Sequence, residues 1–134
     1  MKFFALSFLI TMLVLPLSVH ACPNLAGQYW CVINDGHREP WLDVLTIEQS
    51  IDSDSPSITN FTSNYRSIPG GVETFSADDK GIADRWGWIT KCTADRVISV
   101  TNDFSAMSEQ YIDKSDSLVR TFNRKIEQVC SRKK

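Results

Sequence analysis

Apolar residues follow two regimes along this chain. Phe3 to Leu17 is an almost unbroken apolar run behind the positive charge of Lys2, and Val19 and Ala21 place small residues at the minus-three and minus-one positions of a cleavage site. That arrangement reads as a secretory signal peptide over residues 1–21, with the mature chain beginning at Cys22. The run stops short of the roughly 20 apolar residues that a spanning helix needs, and Pro16 breaks it near its end. No integral membrane span is expected in the mature chain. Beyond Cys22 helical periodicity almost vanishes. Runs rich in Val, Ile, Thr and aromatics alternate with clusters of Asp, Ser, Gly and Asn, which is the signature of short strands.

Eight strands are predicted, over Gln28–Ile33, Trp41–Ser50, Ser57–Ile68, Val72–Ser76, Ile82–Lys91, Arg96–Asn102, Ser108–Asp113 and Ser117–Val129. Asn34-Asp35-Gly36 is a strong turn signal, because Asn and Gly tolerate positive φ. Ser53-Asp54-Ser55-Pro56 and Pro69-Gly70-Gly71 punctuate the chain in the same way, and the remaining links are short and polar. Such links are too short for parallel crossovers, so neighbours should pair antiparallel. The expected fold class is all-β: one antiparallel meander that closes, or nearly closes, into a β-barrel and so removes its edges. A two-sheet β-sandwich is the alternative that the same pattern permits.

The alternation also assigns faces. Trp86, Trp88 and Thr90 share one side, and Leu118, Arg120, Phe122 and Arg124 oppose Val119, Thr121, Asn123 and Lys125. Each face of this last segment mixes polar with apolar residues, which fits a partly wet interior better than a dry two-layer core.

Removing residues 1–21 leaves 113 residues and a single domain, 22–134, with a net charge of −3 against −2 for the precursor. Acidic and basic side chains are interspersed, and only Arg132-Lys133-Lys134 forms a basic run. That run reads as a solvated terminus, so no nucleic-acid partner is expected. Four cysteines in a small exported domain imply two disulfides, with three connectivities open. Cys22–Cys31 with Cys92–Cys130 is the favoured pairing, and Cys22–Cys130 with Cys31–Cys92 is the main rival. Their spacing matches no zinc site. Acylation of Cys22 is an alternative that would leave one thiol unpaired.

Candidate chemistry is sparse. Tyr29, Trp41, Trp86 and Trp88 are the candidate ligand-binding residues, since large aromatics can grip an apolar body or stack on a sugar. Packing in the core, with the indole N–H groups bonded to backbone, is the stronger reading for Trp86 and Trp88, and more steeply so for Trp30. His37 reads as an exposed loop residue, because catalysis would need an oriented partner beside it. Asp52-x-Asp54 lacks the Gly and Glu of a calcium loop. Asp78, Asp79 and Asp84 could gather at one barrel end as a weak cation site. No metal, cofactor or catalytic set is expected. Asn60-Phe61-Thr62 matches the glycosylation sequon, within a predicted strand.

Asn24-Leu25-Ala26-Gly27-Gln28-Tyr29 leads into the first strand through a Gly-x-aromatic step. It resembles the Gly-x-Trp step of lipocalin-like (calycin-type) barrels, with Tyr29 at the tryptophan position. The resemblance implies an exported up-and-down barrel that binds a small apolar ligand. It also implies an arginine late in the barrel packed against the aromatic, for which Arg120 and Arg124 are candidates.

Three functions remain open. The first is an exported, monomeric barrel holding a small apolar or amphipathic ligand. The second is a secreted or periplasmic module that binds an extracytoplasmic protein, such as an enzyme inhibitor or an envelope interaction factor, through the loop at Gly36–Pro40 or Asp78–Gly81. An enzyme ranks third. The interior decides between them: a ligand binder needs a lined cavity, whereas an inhibitor can be filled.

Overall fold

The structure is a computed structural model that describes residues 22–134. The signal peptide expected over residues 1–21 lies outside the described residues. Ten antiparallel strands form one sheet: β1 Gly27–Ile33, β2 Trp41–Ile51, β3 Thr59–Tyr65, β4 Val72–Ala77, β5 Ile82–Ala83, β6 Trp88–Cys92, β7 Arg96–Thr101, β8 Met107–Ile112, β9 Ser117–Phe122 and β10 Lys125–Arg132. Every neighbour in the chain from β1 to β4 and from β5 to β10 pairs with the next, and β1 joins β10. The ribbon therefore curls into a nearly closed barrel, not a sandwich, leaving one seam between β4 and β6. At the lower end of that seam Asp78 bridges Lys91 in parallel fashion and the Cys92 amide donates to the Asp78 carbonyl at 2.7 Å.

The expected count of eight falls short at two turns. The segment over Ile82–Lys91 breaks at Asp84, whose carboxylate accepts from the amides of Trp86 and Trp88 while Gly87 takes φ 85°. The segment over Ser117–Val129 breaks at Asn123-Arg124, which hold φ values of 47° and 66°. Positive φ at both centres is what a two-residue hairpin requires, but Arg is an uncommon occupant and gives no turn signal.

One half of the lumen is packed. Leu25, Tyr29, Leu45, Ile47, Phe61, Ala77, Val97 and Leu118 form its core with the four cysteines. Each fully buried large side chain contributes about 1.5–3 kcal/mol. Residues 22–26 fold beneath this half as a stopper: Leu25 is fully buried, its amide donates to Gln49 Oε1 at 2.9 Å, and Gln49 Nε2 donates to the Pro23 carbonyl at 3.0 Å.

The disulfides take the third connectivity, Cys22–Cys92 and Cys31–Cys130. Neither expected pairing occurs. Cys22 lies in the stopper, and a strand rises about 3.3 Å per residue, so Cys31 stands roughly 13 Å up β1 from Gly27. The two cannot meet. Cys31 and Cys130 are instead direct cross-strand partners with Cα atoms 4.4 Å apart. The Cys22 sulfur is committed to Cys92, which removes the unpaired thiol that the acylation alternative required. Two disulfides point to an oxidising, extracytoplasmic setting.

Asp43 is a buried carboxylate on the inner face, 3 % exposed. It accepts from the Ser67 amide and hydroxyl and from the Val44 amide, and so holds the turn that links β3 to β4. Burial alone would raise its pKa, but the hydrogen bonds from Ser67 and Val44 and the nearby charge of Arg66 hold it below the ordinary 3.8. A lowered folded-state value means that the stabilisation is complete above the unfolded pKa and lost as pH falls through the folded one. Asp43→Asn is expected to cost about 1–3 kcal/mol at pH 7. Urea unfolding of both proteins at neutral and acid pH checks this: the gap should close on acidification.

Candidate functional site

The polar half of the lumen is open. A cavity of about 560 Å³ lies at the end opposite the stopper, within the range of small-molecule sites. The strand registers explain its composition. Gln110, Arg120 and Gln128 stand abreast on β8, β9 and β10, one inward step above the core row of Ile112, Leu118 and Cys130. Thr90, Ser99, Ser108 and Phe122 form a second row across β6 to β9. Trp86, Trp88 and Phe75 complete the aromatic part of the wall. The mixed polar and apolar alternation read from Leu118 to Phe122 is thus the switch from packed core to cavity along one strand.

A hydrogen-bonded chord across the lumen makes the floor. Arg120 Nη1 donates to the Tyr65 hydroxyl at 3.0 Å, and that hydroxyl donates to Gln128 Oε1 at 2.8 Å. Tyr65 sits on β3, which neighbours neither β9 nor β10. The chord therefore braces opposite walls and separates the dry core from the open space. Above it, the hydroxyls of Thr90 and Ser99 pair at 2.9 Å.

The candidate aromatics divide between two places. Trp86 and Trp88 line the cavity. Trp86 is 73 % exposed, with the Arg85 guanidinium 4.7 Å from its ring centre, and stands at the rim. Tyr29 lies in the core near the stopper, where its hydroxyl donates to the Leu25 carbonyl at 2.8 Å. Burial pushes the Tyr29 phenol up, partly offset by the charge of Arg132. Trp41 also stands apart from the cavity, its indole N–H donating to Ser67 Oγ and Arg38 lying 3.5 Å over its ring. Trp30, expected in the core, faces outward at 38 % exposure beside Lys133. Sequence reasoning missed Phe75, Gln110 and Gln128, because only the barrel's registers place them on one lumen, and it counted Tyr65 only within the aromatic excess.

Arg132, not Arg120 or Arg124, packs against Tyr29, 4.9 Å from the ring centre. Its Nη1 donates to the Ala26 carbonyl and its Nε to Asp116 at 2.8 Å. The read of residues 132–134 as a solvated tail therefore fails at its first member. Gly27 is required beside it: φ is 151°, and an added Cβ would lie 2.5 Å from Arg132 Nη1.

Elsewhere the polar residues serve turns. His37 is exposed in the β1–β2 loop, its amide donating to Asp35 Oδ1. Asp78 accepts from the amides of Lys80 and Gly81, at the barrel end away from Asp84. Among the described residues no group of three His, Cys, Asp or Glu side chains is placed to hold a metal ion.

Fold and lumen together define a class: a small disulfide-bonded antiparallel barrel, stoppered at one end and hollow at the other. No protein family, curated protein or solved structure matches the chain.

Proposed function

We propose that this chain is an exported, lipocalin-like binding protein that holds a small amphipathic ligand in the open half of its barrel. The observation that carries the reading is the cavity of about 560 Å³ with aromatic side chains at its mouth and hydroxyl, amide and guanidinium groups at its floor. Such a surface suits a molecule with one flat apolar face and several polar groups better than a wholly apolar one, since buried polar walls demand partners. Support for the lipocalin-like reading comes from Arg132 stacking on the Tyr29 of Gly27-x-Tyr29.

Fluorescence titration with an amphipathic panel (octyl glucoside, methyl glycosides, aromatic alcohols) tests the reading. At least one member should shift tryptophan emission saturably. Trp88→Ala should then weaken binding about tenfold, in keeping with the loss of a large aromatic contact. Trp30→Ala, on the outer surface, should leave affinity unchanged. A response that survives Trp88→Ala in full would place the ligand elsewhere.

A further inference from the structure

We infer that the cavity selects ligands bearing a carboxylate and that Arg120 is the group that receives it. This rests on the cavity being a ligand site. Among the described residues Arg120 is the one cationic side chain lining the cavity, and its side chain is only 19 % exposed. A guanidinium held away from water needs a counter-charge. What it has is poor: Glu73 lies 3.5 Å away and is 71 % exposed. So exposed a carboxylate is largely screened by solvent and contributes little. Tyr65 takes one N–H of the guanidinium, and apart from Glu73 no other acceptor among the described residues meets it.

The surroundings fix the guanidinium in place before any ligand arrives. The chord through Tyr65 to Gln128 sets its orientation, and Gln110 and Gln128 flank it in register. A preset arginine fork matches the two oxygens of a carboxylate, and such charge-assisted bonds are about twice as strong as neutral ones. Polar side chains beside it leave room for hydroxyl or amide groups of the same ligand. The aromatic rim at Trp86 and Trp88 then meets its flat face.

Three carboxylates also line the cavity, at Glu73, Asp84 and Glu127, and they oppose an anion. All three are exposed, and one Asp84 oxygen already accepts from two backbone amides. Solvent screens charges at the rim far more than at the floor, so Arg120 governs the deep end. Glu73 is a different matter. It meets Arg120 Nη2 at 3.5 Å and competes with an incoming carboxylate for that nitrogen. Arg120 and Glu73 therefore act in opposite directions on the same ligand.

Matched acid and neutral pairs test this on the disulfide-bonded protein by calorimetric titration. One pair is 2-naphthoate with 2-naphthylmethanol, and the other is methyl glucuronide with methyl glucoside; the two separate an aromatic acid from an acidic sugar. In at least one pair the acid should bind about tenfold or more tighter than its neutral partner. Arg120→Gln should erase that preference, so that acid and neutral partner bind within about twofold of each other. Arg120→Lys should keep a reduced preference, and Glu73→Gln should tighten acid binding a few-fold. If acid and neutral compounds bind alike, or Arg120→Gln keeps the preference, carboxylate selection is wrong while the ligand site stands. If no compound here or in the amphipathic panel binds, both readings fall together. Matching thermal transitions for the Arg120 variants confirm that the barrel is intact.

Discussion

Replacing Cys31 and Cys130 together with alanine is expected to lower the unfolding midpoint by about 15 °C. The bridge joins positions 99 residues apart. Cross-linking a loop of that length removes on the order of 4 kcal/mol of chain freedom from the unfolded state. In a domain of roughly a hundred residues each kcal/mol moves the midpoint by about 4 °C or more. The bond also joins β1 to β10, the pair of strands that are first and last in the chain. Thermal unfolding followed by circular dichroism in oxidising buffer checks the figure, and a shift under about 5 °C would contradict it. Cys22→Ala with Cys92→Ala opens a bridge of separation 70 and should cost nearly as much, because loop entropy varies only with the logarithm of length. Its second effect differs: hydrogen exchange at residues 24–27 should rise selectively as the stopper loosens.

Phe61→Ala is expected to cost about 3–5 kcal/mol. Phe61 is 1 % exposed and stacks on Phe75 with ring centres 4.8 Å apart. Phe75 in turn lines the cavity, so one aromatic pair links the dry core to the open lumen. Truncating Phe61 removes a large apolar surface from the core and also the support behind a cavity wall. Urea unfolding measures the first effect. The second should appear as weakened binding of any ligand identified for the wild type, beyond what a core truncation in the stopper such as Leu25→Ala produces.

Much of this architecture is legible from residue pattern, because strands with period-two alternation and polar links carry their own punctuation. Six of the ten strands match predicted segments in their bounds or nearly so, and the other four come from two segments that turns hidden in the pattern divide. Asp84 makes its turn through side-chain hydrogen bonds, and Asn123-Arg124 through backbone geometry that arginine does not advertise. Sulfur pairing was not legible. It depends on residues 22–26 tucking under the barrel, a tertiary event with no local signature. The cavity was half legible: Trp86 and Trp88 stand out by type, whereas Gln110 and Gln128 matter only because their strands flank Arg120 in register, and Tyr65 because β3 faces them across the barrel. Tyr29 shows the converse, a conspicuous aromatic whose surroundings are sealed.

Near the mouth, the gap between β4 and β6 gives the container a slit along its side as well as an open top. Glu73, Thr74 and Phe75 border the slit on one flank, and Asp84, Trp86 and Trp88 on the other. The single pairing across it lies at the foot, at Asp78 and Lys91. Widening the upper part breaks no ladder hydrogen bonds, so the wall can yield there at the expense of side-chain packing alone. On the proposed reading, a ligand longer than the lumen would seat its head inside and trail its remainder sideways into solvent, and the dimensions of the hollow would then set no ceiling on ligand size.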